Sequence, residues 1–224
     1  MCVMRVSLLI FLLMMIKFAM SQSVDKNHKV KFLALGDSYT IGESVSPRER
    51  WPEQLIQQLL SAGYQCDEVK IIATTGWRTD DLKRAIEQAA LPKDFTLVSL
   101  LIGVNNQYQG KSATSYEPEF EDLLKIAIEH AGGKESNVFV VSIPDYGYTP
   151  FAKEKQTAIS NELDQFNEIN KRITEKYGCT YIYITDISRQ GLQKPELVAE
   201  DGLHPSGEMY RLWVERIKKQ LINK

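Results

Sequence analysis

A serine that closely follows a predicted strand is the first candidate for chemistry in this chain. Residues 30–35 form an apolar run with the length and composition of a buried strand, and Ser38 comes shortly after Gly36 ends it. In open α/β sheets, ligands bind at the carboxyl ends of the strands. A serine hydroxyl is a weak nucleophile, so it needs a base that takes its proton and donors that stabilise the oxyanion. Ser38 therefore predicts acyl transfer only if the rest of the sequence supplies those groups.

The candidate base is His204, one of three histidines in the chain. Asp201 lies three residues before it, across Gly202, so its carboxylate can turn back and accept a hydrogen bond from Nδ1 of the ring. Such a bond fixes the tautomer and leaves Nε2 to accept a proton. The same residues would also suit a turn that only opens the last helix, and taken alone they leave both interpretations open. A serine at the end of the first strand favours the catalytic one.

Apolar runs with the length of strands alternate along the chain with segments of helical spacing. The sequence predicts strands at residues 30–35, 69–73, 95–102, 137–143 and 180–184. It predicts helices at residues 51–62, 80–91, 119–131 and 160–177, and a last helix capped by Ser206. Alternating strands and helices indicate a parallel sheet covered on both faces. We therefore expect an α/β fold, a three-layer α/β/α sandwich with a flavodoxin-like, five-stranded parallel sheet in the order 2-1-3-4-5.

Further polar groups follow the other predicted strands. The second strand leads to Gly76, the third leads to Asn105, and the chain after the fifth leads to Asp201 and His204. In a parallel sheet these carboxyl ends face one crevice. We therefore expect these segments to lie near Ser38.

Four short blocks of this sequence resemble the SGNH (GDSL-type) hydrolase family, and they occur in that family's order. They are Gly-Asp-Ser-Tyr at 36–39, Gly at 76, Gly-Val-Asn at 103–105 and Asp-Gly-Leu-His-Pro at 201–205. The similarity extends from the first strand to the last helix, and four ordered blocks are a far more specific signal than any one of them. The resemblance implies a flavodoxin-like α/β/α sandwich and an enzyme that hydrolyses carboxylic ester bonds.

The resemblance also implies a role for each matching residue. Ser38 would be the nucleophile of a catalytic triad, His204 would be the general base and then the acid, and Asp201 would orient His204. The oxyanion hole would consist of the backbone N–H groups of Ser38 and Gly76 and the side-chain amide of Asn105.

One position departs from the family pattern. The third block often reads Gly-x-Asn-Asp, and this chain has Asn106 in the last place. The donor Asn105 is intact, so the departure leaves the implied catalysis in place. It puts in question only the role of position 106 itself.

Aromatic residues near these blocks are candidates for binding the substrate. Tyr39 and Trp77 adjoin the proposed site, and Tyr146, Tyr148 and Phe151 lie in a loop after the fourth predicted strand. Loops at this edge of a sheet often shape specificity. Packing is the alternative role for the first two residues, and a surface loop without a function is the alternative for the other three.

The composition is that of an ordinary globular protein, with 43% apolar and 25% charged residues among 224. The formal net charge of −2 and the lack of a basic tract interleaved with aromatics give no indication of nucleic acid binding. No set of His, Cys, Asp and Glu has the spacing of metal ligands, and we expect no metal and no cofactor. The length suits a single hydrolase domain over residues 23–224.

Residues 1–22 have the pattern of a signal peptide. Arg5 gives the first segment a positive charge, residues 6–16 are apolar apart from Ser7, and residues 19–21 are suited to cleavage. The apolar run is shorter than the roughly 20 residues that a membrane span needs. We expect cleavage, export to the periplasm or the extracellular space, and no stable membrane span afterwards.

Two cysteines, Cys66 and Cys179, lie in the predicted mature chain. They precede the second and fifth predicted strands, which lie at opposite edges of the expected sheet. Their Cα atoms should then be well beyond the roughly 7 Å limit for a disulfide, so we expect both thiols to be free.

The leading interpretation is a secreted serine esterase that forms an acyl-enzyme on Ser38. A rival is a flavodoxin-like module that binds a phosphate or flavin at the polar turn 38–42, and the lack of a predicted helix directly after Thr40 argues against it. A third is a catalytically inactive, carbohydrate-binding descendant, which the presence of every group of the motif disfavours. The substrate stays open among small-molecule, carbohydrate and lipid esters, including acetylated sugars, lysophospholipids, thioesters and aryl esters, as does the oligomeric state.

Overall fold

Five parallel strands form one sheet in the computed structural model, which describes residues 29–221. The strands are β1 (Phe32–Gly36), β2 (Lys70–Ala73), β3 (Leu97–Leu101), β4 (Val138–Val141) and β5 (Thr180–Ile182). They lie in the order β2-β1-β3-β4-β5 and every pairing is parallel, which confirms the predicted topology. The predicted signal peptide at residues 1–22 lies outside the described residues.

Helices connect the strands and cover both faces of the sheet. They are α1 (Ser38–Ile41), α2 (Trp51–Ser61), α3 (Thr79–Ala89), α4 (Val104–Tyr108), α5 (Ala113–His130), α6 (Gln156–Lys176), α7 (Thr185–Ser188) and α8 (Gly207–Leu221). The β1-to-β2 crossover runs in the opposite direction from the later ones, and parallel crossovers are right-handed. Helices α2 and α8 therefore pack together on one face, and α3, α5 and α6 lie on the other. Among residues 29–221, no helix is both long and apolar enough to cross a membrane.

The central strands β1, β3 and β4 are buried along their whole length, as a parallel sheet with helices on both faces requires. The ring of Phe32 on β1 stacks on that of Phe139 on β4, with centroids 6.1 Å apart. Both rings also contact Trp51 at the start of α2. Burying a large apolar side chain contributes about 2 kcal/mol, so this cluster helps to hold α2 against the sheet.

Helix α5 begins at Ala113, earlier than the predicted start at residue 119. Pro118 lies inside the observed helix, although proline lacks the N–H that a helix interior uses. Ser112 caps the observed start by accepting a hydrogen bond from the backbone N–H of Ser115 at 3.1 Å. Tyr116 in the first turn is fully buried, and its hydroxyl lies 2.7 Å from Oδ1 of Asn170. Tertiary burial of this turn therefore outweighs the one backbone hydrogen bond that proline removes.

The short helices α1, α4 and α7 were not predicted, because one turn is too short to show a hydrophobic period. Helix α1 follows β1 after a single residue and ends at Ile41, so no helix begins directly after Thr40. The first long helix is α2, which begins at Trp51. Helices α1 and α4 lie at the carboxyl edge of the sheet, where the candidate site residues were predicted.

Cys66 and Cys179 are unpaired, which confirms the prediction. Cys66 pairs with Val30 in an isolated bridge before β2, and Cys179 immediately precedes β5, so they lie at opposite edges of the sheet. Cys179 is buried, and this burial raises the pKa of its thiol to about 12. The reactive thiolate of Cys179 is therefore scarce at neutral pH while the protein is folded.

We expect two reactive thiols in the denatured chain and at most that of Cys66 in the folded chain. The measurement is thiol titration without reductant, in buffer and in denaturant, on protein that lacks residues 1–22 and therefore Cys2. Absence of free thiols in denaturant would contradict both the free cysteines and the strand order.

Candidate active site

Ser38 lies at the carboxyl end of β1 as the first residue of α1, and only 5% of it is exposed. The preceding turn is tight: a Cβ on Gly36 would lie 2.2 Å from Oγ1 of Thr40 and 2.6 Å from the carbonyl of Leu101 on β3. Glycine avoids both overlaps because it has no Cβ. The close packing of β1, α1 and β3 thus fixes where the serine lies.

Asp37 is fully buried next to Ser38. Its Oδ1 caps α1 by accepting a hydrogen bond from the backbone N–H of Tyr39 at 3.0 Å, and its Oδ2 has no partner among residues 29–221. Burial raises the pKa of the Asp37 carboxyl to about 7, and the hydrogen bond from Tyr39 only partly opposes this effect. The folded protein therefore titrates Asp37 near neutral pH, far above the ordinary range of an aspartate.

The predicted pair of Asp201 and His204 is present, with Nδ1 of the ring 2.6 Å from Oδ2 of the carboxylate. The other carboxylate oxygen accepts hydrogen bonds from the backbone N–H groups of Leu203 and His204, each at 2.9 Å. Gly202 has a φ of +71°, and this left-handed turn brings the carboxylate back onto the ring. With its proton on Nδ1, the neutral ring has Nε2 available as an acceptor.

Ser44 is a further partner of the Asp201 carboxylate that the sequence analysis missed. Its Oγ donates a hydrogen bond to Oδ2 at 2.6 Å, across 157 residues of sequence. Partial burial opposes ionisation of Asp201, but hydrogen bonds from Ser44, His204 and the backbone outweigh it and hold the pKa of Asp201 well below its usual range. No motif in the sequence marks Ser44, because the contact depends on how two distant loops meet.

Two candidate oxyanion donors lie near Ser38. Gly76, in the turn after β2, has a φ of +85° and open space where a Cβ would lie, so backbone conformation rather than crowding requires glycine there. Asn105, in the first turn of α4, donates one N–H of its side-chain amide to the carbonyl of Trp77 at 2.9 Å. The amide nitrogen carries two N–H groups, so the second one is available to a ligand. The bond to Trp77 also ties the turn after β2 to α4.

These groups line one cleft of about 190 Å³ at the carboxyl edge of the sheet: Ser38, Gly76, Asn105 and His204. The turns after β1, β2 and β3 contribute the first three, and the loop before α8 contributes the histidine. The structure thus brings together a hydroxyl, an aspartate-paired imidazole and amide donors from four separate segments. This arrangement provides the nucleophile, base and oxyanion donors that acyl transfer requires.

Three of the five aromatic residues predicted to bind substrate line this cleft, namely Tyr39, Tyr146 and Phe151. Trp77 and Tyr148 do not belong to its lining. Trp77 packs against the hydrophobic core and contributes only its carbonyl group to the site. Tyr148 lies two residues after Tyr146 in a 3-10 turn, so the two side chains point in different directions.

The cleft has four further lining residues that the sequence analysis did not single out: Thr75, Val104, Tyr108 and Leu203. Val104 and Leu203 lie inside two of the four sequence blocks and Thr75 directly precedes Gly76, and this proximity was the available signal for finding them. Tyr108 lies at the end of α4, which the sequence analysis did not predict, and 60% of it is exposed.

The ring of Tyr39 packs edge-on against that of His204, with centroids 5.9 Å apart. Burial raises the pKa of the Tyr39 hydroxyl well above its usual range, so this residue stays neutral beside the imidazole. Tyr39 therefore acts on His204 through packing, and it limits the positions that the imidazole can take.

A buried carboxylate holds the loop that carries Tyr146 and Phe151. Asp145 is 1% exposed and accepts hydrogen bonds from Oγ of Ser160 at 2.6 Å and from Nε of Arg189 at 3.0 Å. These bonds join the loop to α6 and to the end of α7. Because the buried charge is paired and hydrogen-bonded, we expect this wall of the cleft to be rigid.

Asn106, the departure from the family pattern, is fully buried and joins three helices. Its Oδ1 accepts from the backbone N–H of Thr79 at 3.1 Å, and its Nδ2 lies 2.7 Å from Oγ1 of Thr79 and 3.2 Å from Oε2 of Glu119. An aspartate at this position would have no N–H to donate and would face the carboxylate of Glu119. The amide therefore complements Glu119, and the network fixes α4, with Asn105 on it, against α3 and α5.

The fold and the groups on the cleft are those of an ester hydrolase of the α/β/α class. Residues 34–212 match the GDSL-like lipase/acylhydrolase family, and the chain belongs to that family. No protein with a curated description matches the chain in sequence.

Solved structures share this fold at low sequence identity. A member of the lipolytic protein G-D-S-L family from Veillonella parvula DSM 2008 is 18% identical over 85% of this chain and 97% of its own, with a TM-score of 0.65. The psychrotrophic esterase EstA from Pseudoalteromonas sp. is 15% identical over 85% and 96%, with a TM-score of 0.64. Axe2, an acetylxylan esterase from Geobacillus stearothermophilus, is 17% identical over 86% and 94%, with a TM-score of 0.67.

The titration of Asp37 predicts a pH-dependent loss of stability. An unfolded aspartate ionises near 3.8 and the folded Asp37 near 7, so between these values the folded chain binds more protons than the unfolded chain. The free energy of unfolding then falls as the pH rises through this window, by at most about 4 kcal/mol for this group. Asp37→Asn removes the titration and keeps the acceptor that caps α1. We expect its Tm, relative to the parent protein, to increase by up to about 10 °C between about pH 4 and about pH 7.5.

The matched control for Asp37→Asn is Asp122→Asn, which changes an exposed aspartate on α5. Thermal unfolding of the three proteins should be followed across the same pH series. Parallel Tm profiles for the parent and Asp37→Asn would contradict the raised pKa.

The network around Asn106 predicts a compensating pair of substitutions. Asn106→Asp should lower the free energy of unfolding by about 2 kcal/mol or more, because the new carboxylate faces Glu119 in a buried site. It should also lower kcat, because α4 carries Asn105. Adding Glu119→Gln restores a donor opposite the new carboxylate, so the double variant should recover at least about 1 kcal/mol of the loss.

The measurements are denaturant unfolding and ester hydrolysis for the parent, both single variants and the double variant. Glu119→Gln alone is the matched control for the loss of the Glu119 charge. If the double variant is no more stable than Asn106→Asp, the proposed complementarity between these two residues is wrong.

Proposed function

We propose that this protein is an exported serine esterase that hydrolyses carboxylic esters through an acyl-enzyme on Ser38. The observation that carries the proposal is the convergence of Ser38, His204 and the donors Gly76 and Asn105 on one cleft. Asp201 supports the role of His204 through its contact of 2.6 Å with Nδ1.

The first half of the proposed reaction forms the acyl-enzyme. Oγ of Ser38 attacks the carbonyl carbon of the ester while its proton passes to Nε2 of His204. The backbone N–H groups of Ser38 and Gly76 and the free amide N–H of Asn105 stabilise the oxyanion; one such donor typically accounts for about 3 kcal/mol. The tetrahedral intermediate then expels the alcohol, which takes the proton from His204.

The second half releases the acid. A water molecule attacks the acyl carbon, His204 takes a proton from it, and the new intermediate expels Ser38 Oγ, which recovers that proton. Asp201 stabilises the imidazolium in both halves. Its low pKa supports this role, because the carboxylate stays ionised beside the ring throughout the neutral and mildly acidic range.

A short acyl group suits the cleft best. Its volume of about 190 Å³ is below that of ordinary ligand pockets, which hold roughly 300–1,000 Å³. The rings of Tyr39, Tyr146 and Phe151 take up part of its wall. The structural likeness to an acetylxylan esterase is in keeping with an acetyl or similarly small acyl group.

Export is the part of the proposal that depends on sequence alone. Residues 1–22 combine an early Arg5, an apolar segment and small residues at 19–21, the pattern of a cleaved signal peptide. The mature enzyme would then meet substrates outside the cytoplasm.

The rival interpretation as a phosphate- or flavin-binding module receives little support from the site. One backbone donor at the start of α1 is already occupied, because Oδ1 of Asp37 accepts a hydrogen bond from the N–H of Tyr39. A phosphate at this turn would also approach a buried carboxyl group, which disfavours an anion there.

Ser38→Ala should abolish hydrolysis of p-nitrophenyl acetate and labelling by a fluorophosphonate, since both require the Ser38 hydroxyl. The parent protein should bind the probe covalently, with the mass increase on the peptide that contains Ser38. Residual activity above about 1% of the parent would contradict the nucleophile, because loss of a triad serine removes nearly all rate enhancement.

The matched control is Ser46→Ala, which removes a serine hydroxyl from an exposed turn away from the cleft. This variant should label and turn over like the parent protein. Melting temperatures of all three proteins separate a loss of chemistry from a loss of folding.

A further inference from the structure

A second groove adjoins the catalytic cleft, and the reaction proposed above does not use it. It has a volume of about 470 Å³ and lies between the end of α4, the loop after β4 and the first turns of α6. Three aromatic residues, Tyr108, Tyr146 and Phe151, line both the cleft and this second groove. A substrate whose ester group lies at Ser38 can therefore extend over these rings into the second groove.

Tyr108, Tyr146 and Phe151 form an aromatic wall that the cleft and the second groove share, and two of these rings are exposed. Tyr108 is 60% exposed and Phe151 is 56% exposed, whereas Tyr146 is buried and packs edge-on against Tyr108 at 6.1 Å. Exposed apolar surface in a concave site marks a binding surface rather than a core. Flat exposed rings suit the apolar C–H face of a sugar ring, which leaves the sugar hydroxyls pointing sideways.

Polar side chains lie where such hydroxyls would point. The hydroxyl of Tyr146 donates to Oε1 of Gln107 at 2.9 Å, and Nε2 of Gln107 donates to Oε2 of Glu162 at 2.6 Å. This chain holds the Glu162 carboxylate at the second groove, and Glu154 and Lys155 add further charged groups. Carboxylate oxygens accept from hydroxyls, and the ammonium of Lys155 donates to them.

The same groups disfavour two other occupants. A long acyl chain would have to desolvate the carboxylates of Glu154 and Glu162 without any hydrogen bond in return. An anionic headgroup would meet two carboxylates against the single ammonium of Lys155. A neutral, polyhydroxylated group avoids both costs.

We propose that the second groove binds the carbohydrate alcohol portion of the ester, so that the preferred substrates are acylated oligosaccharides. This inference rests on the proposed function, because it assigns the leaving-group side of the same reaction. The acyl group lies in the cleft, and the sugar next to it lies on the shared aromatic wall. Further sugar units then extend along α6 toward Glu162.

The test fills the second groove without altering the cleft. Ala158 is exposed on α6 and lines the second groove only, so Ala158→Trp places a large ring in the space proposed for sugar units. The matched control is Thr157→Trp, which adds the same ring at the neighbouring exposed position outside the lining. The substrates are p-nitrophenyl acetate, p-nitrophenyl octanoate and acetylated oligosaccharides.

Ala158→Trp should lower kcat/KM for acetylated oligosaccharides by about tenfold or more, mainly through KM, because the second groove contributes binding rather than chemistry. Its kcat/KM for p-nitrophenyl acetate should stay within about twofold of the parent value, which also shows that the variant is folded. Thr157→Trp should resemble the parent protein on all three substrates.

Three results would overturn the inference. The first is a loss confined to p-nitrophenyl octanoate, which would make the second groove an acyl-chain site. The second is an unchanged kcat/KM for acetylated oligosaccharides, and the third is failure of the parent protein to hydrolyse them while it hydrolyses p-nitrophenyl acetate. Failure of the proposed function is a separate result, namely no Ser38-dependent hydrolysis of p-nitrophenyl acetate by the parent protein.

Discussion

The absence of a side chain at Gly36 is the constraint on which the candidate site depends. A Cβ there would overlap Thr40 at 2.2 Å and the carbonyl of Leu101 at 2.6 Å, so β1, α1 and β3 can approach each other only around a glycine. This approach lets the chain turn into α1 within one residue of the strand and brings Ser38 to the carboxyl edge of the sheet. The other site groups reach the same edge because all five strands are parallel.

Two carboxyl groups near the site have opposite pKa shifts, and each shift follows from its surroundings. Asp37 is buried and accepts one hydrogen bond, so burial dominates and its pKa rises to about 7. Asp201 is partly exposed and accepts from Ser44, His204 and two backbone N–H groups, which keep it ionised. Environments that separate the pKa values of neighbouring carboxyls are a common feature of catalytic sites. Here the ionised carboxylate is the one that contacts the imidazole.

The donors of the cleft are supported by hydrogen bonds that do not reach the substrate. Asn105 is held by the carbonyl of Trp77, and its helix is held by the buried amide of Asn106 between Thr79 and Glu119. The departure at position 106 is thus coupled to an acidic partner on α5. The carboxylate of Glu119 accepts a hydrogen bond from the amide of Asn106, and an aspartate at this position would have no N–H to donate. The loop that forms the aromatic wall has a comparable anchor in the buried pair of Asp145 and Arg189. Such support limits the motion of a site and preserves the geometry that its chemistry needs.

The sequence by itself determined the fold class, the strand order and most of the site. Alternating apolar runs and helical periods require a parallel α/β sheet, and a parallel sheet collects the ends of its strands at one edge. The pair of Asp201 and His204 was predictable because its partners are three residues apart and a glycine turn joins them.

Only the tertiary structure decided the rest, because those features depend on contacts between distant segments. Examples are the bond from Ser44 to Asp201 across 157 residues, and the early start of α5, where burial of Tyr116 outweighs the effect of Pro118. The absence of Trp77 and Tyr148 from the lining of the cleft is of the same kind, since the sequence shows how near a residue is along the chain but not where its side chain points.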